Sequence, residues 1–270
     1  MKFETLSVST KGTVALIELN RPEKANAVNG TMWQEIKQAF EWLSETSHLR
    51  IGIFSAKGKH FTAGIDLGFF SEAKAQLDSL CEATKGEQVR QFIIDLQESV
   101  SAIEKCTKPV IAAVHGLCYG GGVDLITACD IRYATKDSKY SVKEVDLGIV
   151  ADIGTLQRLP KLIGEGMARE LTYTAREFSG SEAKEMGLVT RLFDDKASLD
   201  KGVFDLADSI ASKSPLAIRG IKEVMNYSRD RGVEEGLDFV ASVSGPILMS
   251  KDVEKAVMAF FTKTLPTFDD

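Results

Sequence analysis

Three consecutive glycines, Gly120-Gly121-Gly122, are followed by three acids, Asp124, Glu144 and Asp152, and together they form the most reactive constellation in this chain. Glycines between a predicted strand and a predicted helix let the backbone approach a ligand with no side chain in the way. The first-turn amides of the helix then point outward without partners. Such a turn can hold an oxyanion. The spacing Gly116-x-x-x-Gly120-Gly121-Gly122 is not the dinucleotide-binding fingerprint, and close helix–strand packing is the plainer use of the same glycines. A second loop, Phe61-Thr62-Ala63-Gly64-Ile65-Asp66-Leu67, could bring another amide to the same point, although Gly64 alone is equally an ordinary turn residue. Two converging amides would stabilise an enolate, and loss of one such donor costs ~10²–10³ in rate.

Asp124 falls in the first turn after the glycines, and Glu144 and Asp152 follow 20 and 28 residues later. Asp152 stands among mostly apolar neighbours, where desolvation of the carboxylate raises its proton affinity toward the range useful for acid–base work. Plainer roles exist for acids of this kind: a favourable charge at a helix N-terminus for Asp124, and a helix cap or surface ion pair for Asp146 and Asp66. His115, between Val114 and Gly116 at a strand end, reads as structural. No Gly-x-Ser-x-Gly pattern supports a triad hydrolase, and no metal site is indicated.

The elements that must position these residues follow from periodicity. Residues 5–8 and 14–19 read as strands around Lys11-Gly12. Asn29 can cap a helix through Trp33, Ile36, Lys37, Phe40 and Leu43, whose apolar positions recur at three and four. Strands are expected at 50–55, 110–114 and 131–134. A long helix carries Val89, Phe92, Ile93, Leu96, Val100 and Ile103, and another runs over 124–128. Residues 69–86 are expected to be mobile or to form a peripheral helix. The alternation argues an α/β architecture. From about residue 181 the pattern becomes helix after helix, so the chain divides into a core over 1–200 and a helical subdomain over 201–270, whose apolar stripes suit self-association.

Composition narrows the function classes. The chain has 270 residues, 44% hydrophobic and 27% charged, a globular composition that excludes disorder, collagen and simple coiled coil. With 33 Lys and Arg against 39 Asp and Glu, the net charge is −6, which argues against nucleic acid as a partner. No apolar run approaches the ~18 residues that span a bilayer. The start, Met1-Lys2-Phe3-Glu4, lacks a hydrophobic signal region, and Thr267-Phe268-Asp269-Asp270 is not a peroxisomal Ser-Lys-Leu address, so a cytoplasmic location is expected. Cys81, Cys106, Cys118 and Cys129 have no Cys-x-x-Cys spacing and read as reduced structural thiols.

Over nearly its whole length the sequence resembles the crotonase (enoyl-CoA hydratase/isomerase) superfamily. The resemblance is carried by Leu19-Asn20-Arg21-Pro22 with Ala25-Asn26-Ala27, by Thr62-Ala63-Gly64-Ile65-Asp66-Leu67, and by Pro109-Val110-Ile111-Ala112-Ala113-Val114-His115-Gly116 leading into the glycine triplet. It continues through Ala128-Cys129-Asp130-Ile131-Arg132, Gly154-Thr155-Leu156-Gln157-Arg158-Leu159-Pro160 and residues 183–189. The resemblance implies a spiral of ββα units followed by a helical trimerisation region, commonly as a dimer of trimers. It implies an acyl-CoA thioester substrate with no separate cofactor. By motif position the oxyanion amides would be those of Ile65 and Gly121, with Ala63, Gly64, Ile65, Asp66 and Leu67 lining the thioester site.

Within the superfamily, hydratases place two acids at the positions of Asp124 and Glu144. Both are usually glutamates, with a proline where Lys143 stands and a glycine where Asp152 stands. The stretch from Lys143 to Pro160 instead resembles the Δ3,5-Δ2,4-dienoyl-CoA isomerases, which carry three pocket acids at these places. That resemblance implies β-oxidation chemistry in which Glu144 handles the C2 proton, Asp152 the C6 proton, and Asp124 orients groups within the pocket. The alternatives are an enoyl-CoA hydratase using Asp124 and Glu144 on water, and a non-catalytic binding protein of the same fold.

Overall fold

Val110-Ile111-Ala112-Ala113-Val114 is apolar at every position because both of its faces are covered, as in parallel sheets packed on two sides. The computed structural model describes residues 2–78 and 80–269. Strands β1 (Leu6–Lys11) and β2 (Val14–Leu19) form an antiparallel hairpin; β3 (Ile51–Ala56), β4 (Val110–Val114), β6 (Ile131–Thr135) and β9 (Arg191–Phe193) extend it in parallel, in the order β1-β2-β3-β4-β6-β9. Side chains alternate across this sheet. Val110, Ala112 and Val114 join Ile17, Leu19 and Phe54 in the larger core, while Ile111 and Ala113 join Ile51, Ile53 and Tyr133 on the opposite face.

A second, smaller sheet contains β5 (Leu117–Tyr119), β7 (Lys139–Ser141) and β8 (Phe178–Ser179). Gly116, at φ +59°, diverts the chain from β4 into β5. A side chain there would meet the Lys59 carbonyl oxygen at 2.3 Å. Each unit runs from a strand of the large sheet to one of the small sheet and then into a helix: β4, β5 and α4 (Gly121–Thr127), then β6, β7 and, past a short 3₁₀ turn, α5 (Thr155–Ile163). The expected spiral of ββα units is the observed architecture.

The larger core is roofed by α1 (Gly30–Glu45), whose entry is capped by Asn29 accepting from the Met32 N–H at 3.0 Å, and by α3 (Glu82–Lys105). Residues 69–78 and 82–86 are helical, in α2 (Leu67–Asp78) and the first turn of α3; Leu80 and Cys81 are not helical, and Ser79 is outside the described residues. After α6 (Glu165–Thr174) and α7 (Gly180–Glu185) the chain still contributes β9, so the helical region begins later than its pattern indicates. The expected boundary at residue 200 falls inside α8 (Lys196–Ala211), which covers the second sheet face with Leu199, Val203, Ala207 and Ala211. Helices α9 (Pro215–Ser228), α10 (Val233–Leu248) and α11 (Lys251–Thr262) follow. The buried Lys222 of α9 ties them to the core, donating to Asp130 at 2.8 Å and to the Lys108 carbonyl at 3.0 Å.

Candidate active site

Two loops that are far apart in sequence are laid side by side by backbone pairing. Thr62 and Cys118 form a parallel bridge: the Thr62 N–H donates to Leu117 O at 2.9 Å and the Tyr119 N–H to Thr62 O at 3.1 Å. This register brings Gly64 against Gly120. A Cβ on Gly64 would lie 3.0 Å from the Tyr119 carbonyl oxygen, and one on Gly120 would lie 3.9 Å from the Gly64 Cα. Both have positive φ, +98° and +49°, so conformation favours glycine at each, and at Gly64 space does too. The next residues in each loop are Ile65 and Gly121. Among the described residues no oxygen accepts from either of their N–H groups. Two free donors therefore sit beside the point where the loops meet.

The first loop is braced from below by Arg21 and Asn26. The Asn26 side chain accepts from the Arg21 N–H at 2.8 Å and donates to Lys57 O and His60 O, each at 2.8 Å. The Arg21 guanidinium donates to Ala27 O at 2.6 Å and to the Asp66 carboxylate at 3.0 Å. Asp66 also accepts from the Gly68 N–H at the start of α2, at 3.0 Å. The Arg21 guanidinium, then these backbone donors, hold its carboxyl below the ordinary carboxylate range against partial desolvation. Its cap and ion pair account for this acid without chemistry.

Ala63, Gly64, Ile65, Asp66, Leu67 and Gly121 line one cavity of about 560 Å³, and Glu144 and Asp152 line it too. Its apolar wall includes Trp33, Leu96, Ile149 and Ile153. Trp33 packs on Gly121, where a Cβ would meet the indole Cη2 at 3.1 Å. Burial, and then the neighbouring Asp152 charge, raise the Glu144 carboxyl; its Oε2 is buried and has no partner. Asp152 is exposed at the cavity edge, and the partial desolvation of its carboxyl there still raises it.

Asp124 is placed differently. It is fully buried on α4 and is not among the cavity walls. Its Oδ1 accepts from the Thr155 N–H at 2.6 Å, at the start of α5, and its Oδ2 is unpartnered. Burial, then the adjacent Glu144 charge, push it up to about 7. The structure thus brings Glu144 and Asp152 to the cavity and sets Asp124 behind them, coupled to Glu144. His115 lies outside the cavity wall, buried, with Nε2 3.0 Å from Gly58 O.

Residues 9–270 match the family described as enoyl-CoA hydratase/isomerase. The chain belongs to the enoyl-CoA hydratase/isomerase family. It is 47% identical over 270 residues to a protein of Arabidopsis thaliana named Delta(3,5)-Delta(2,4)-dienoyl-CoA isomerase, peroxisomal, covering 98% of this chain and 97% of that one. It is 45% identical over 259 residues to the human protein named Delta(3,5)-Delta(2,4)-dienoyl-CoA isomerase, mitochondrial, covering 95% and 79%. Among solved structures, an enoyl-CoA hydratase from Bacillus anthracis superposes with a TM-score of 0.89 at 31% identity, covering 98% and 99% of the two chains.

These names correct one expectation. The cytoplasmic location does not stand, because the relatives are named for the peroxisome and the mitochondrion. Organelle addresses take several forms read by different receptors, so a search for a hydrophobic signal region and one tripeptide does not define the compartment. Among the described residues no helix is long and apolar enough to cross a membrane. For a family member the sequence reading also passes over Trp33, Leu96 and Lys143, which line the cavity. Trp33 and Leu96 lie on apolar helical faces, and such faces look the same whether they meet a core or a ligand.

Proposed function

We propose that this chain isomerises 3,5-dienoyl-CoA to 2,4-dienoyl-CoA in fatty-acid β-oxidation. The observation that carries the reading is that Asp152 shares one cavity with Glu144 and with the free amides of Ile65 and Gly121. The Glu144 carboxylate takes the C2 proton, made acidic by the thioester. The electron pair spreads to the thioester oxygen, which the two amides hold as an oxyanion hole. Protonated Asp152 then delivers a proton to C6, and the double bonds come to rest in conjugation with the carbonyl. The desolvation that raises both carboxyls suits groups that must hold and release a proton. Coenzyme A enters as part of the substrate, and the steps require no further cofactor.

Hydration would need two acids acting on one water. Asp124 is poorly placed for that, being enclosed behind the wall with one oxygen committed to Thr155. It serves instead to hold the start of α5 and, through its coupling to Glu144, to tune that group. The deciding experiment follows the ultraviolet absorbance of the conjugated product from a 3,5-dienoyl-CoA, beside hydration of a 2-trans-enoyl-CoA. Fast isomerisation with slow hydration is expected, and hydration alone would refute the reading.

The assembly proposed with this activity is a homotrimer or a dimer of trimers. Ile221, Met225, Leu237, Met258, Phe260 and Phe261 on α9–α11 are each more than half exposed. Apolar surface of that extent marks an association face. Sedimentation velocity giving a monomer at micromolar concentration would overturn it.

A further inference from the structure

Behind the reaction cavity lies a second cleft of about 470 Å³, and Asp152 and Ile153 line both. The two spaces differ in chemistry. The cleft is walled by Gln97, Ser101, Gln157, Glu104 and Arg158, with Lys161, Arg229 and Asp230 beyond them. The turn that carries Asp152 is fastened from this side. Gln97 on α3 donates to the Asp152 carbonyl at 2.7 Å, and one turn further on Arg158 reaches Ser101 at 3.3 Å and Glu104 at 2.8 Å. Gly154, at φ +135°, leaves room for that guanidinium, because a Cβ there would lie 1.8 Å from its Nη1.

We infer that this cleft is the proton port of the isomerase, supplying Asp152 from bulk water while the acyl chain occupies the cavity. The inference rests on the function proposed above. Each turnover leaves Glu144 protonated and Asp152 ionised, so one proton must leave Glu144 and another must reach Asp152 before the next. Glu144 and Asp152 share no hydrogen bond among the described residues, and Glu144 Oε2 is buried without a partner. A bound acyl chain displaces the water of the apolar cavity. The cleft wall, rich in hydroxyl, amide and charged groups, keeps its water and meets Asp152 from the other side. Water there relays a proton from solvent acid to the Asp152 carboxylate. Glu144 releases the C2 proton once product leaves, so the overall reaction stays balanced.

The test uses the full-length protein in D2O and mass spectrometry with NMR of the dienoyl product over many turnovers. The expected product carries one solvent deuterium at C6. Substrate deuterated at C2 and turned over in H2O should give product without deuterium at C6, and transfer of that label to C6 would overturn the inference. Gln157→Trp fills the cleft from an exposed position on α5 that is not part of the reaction-cavity wall. It should lower kcat about tenfold with KM and Tm unchanged. A Gln157→Asn control should keep wild-type kcat. Solvent label at C6 with kcat unaffected by Gln157→Trp would place the route elsewhere and also overturn it. Absence of isomerisation by the unaltered protein would instead remove the functional reading.

Discussion

Gly64→Ala tests the crossing of the two loops. The substitution places a methyl group on a residue at φ +98° and 3.0 Å from the Tyr119 carbonyl oxygen, a backbone atom that cannot swing aside as a side chain can. The backbone conformation alone costs about 1–3 kcal/mol. Relieving the contact parts the loops by a few tenths of an ångström, which moves the Ile65 N–H out of the narrow range in which a donor serves an oxyanion. Loss of one donor is worth about 2.7–4 kcal/mol in the transition state, so kcat for isomerisation should fall ~10²-fold or more, with KM changed far less. Tm should fall by about 2–4 °C for each kcal/mol of strain. Gly12→Ala is the control: its φ is +58°, nothing lies within 4 Å of the added methyl, and it sits in the β1–β2 turn. That variant should lose stability and keep kcat. If Gly64→Ala also loses only stability, with kcat within about threefold of the unaltered protein, the Ile65 amide is not an oxyanion donor and the convergence of the loops has no catalytic meaning.

Two further outcomes follow from the acids. Asp152→Asn should reduce isomerisation ~10²–10⁴-fold; intact isomerisation would refute the C6 assignment. Burial, then the adjacent Glu144 charge, push Asp124 up to about 7 in the folded chain, above the ordinary carboxylate range, so the folded chain binds this proton more tightly than the unfolded one. Its contribution to stability is full in acid and is lost as pH rises from about 4 to about 7, at up to about 1.4 kcal/mol per pH unit. Asp124→Asn removes that loss, so its Tm relative to the unaltered protein should be higher at pH 8 than at pH 5 in differential scanning calorimetry. A difference independent of pH would show that the carboxyl is not raised.

The parts of this fold legible in the sequence are those written in local periodicity and capping. β4 falls where its apolar run lies, and α1 starts where Asn29 can accept from Met32. The small sheet was not legible because β5, β7 and β8 are two or three residues long, below the four or so needed for an alternation to register. They are strands only because distant segments pair with them, and β9 is hidden among helices for the same reason. At the site, glycines and acids announce themselves by type. What spacing does not encode is the side of a wall on which an acid ends: Asp124 and Glu144 are neighbours, yet only one of them reaches the cavity.

In the proposed reaction the grip on the thioester oxygen would be made of main chain, at Ile65 and Gly121, while the proton transfers would be made of side chains. Drift in side-chain identity therefore leaves the grip intact and rewrites the reaction one carboxyl at a time. A descendant that exchanged Asp152 for glycine would keep the fold, the cavity and the enolate, and lose only the remote proton. Inheritance in such a scaffold conserves the intermediate, and the product is the part free to change.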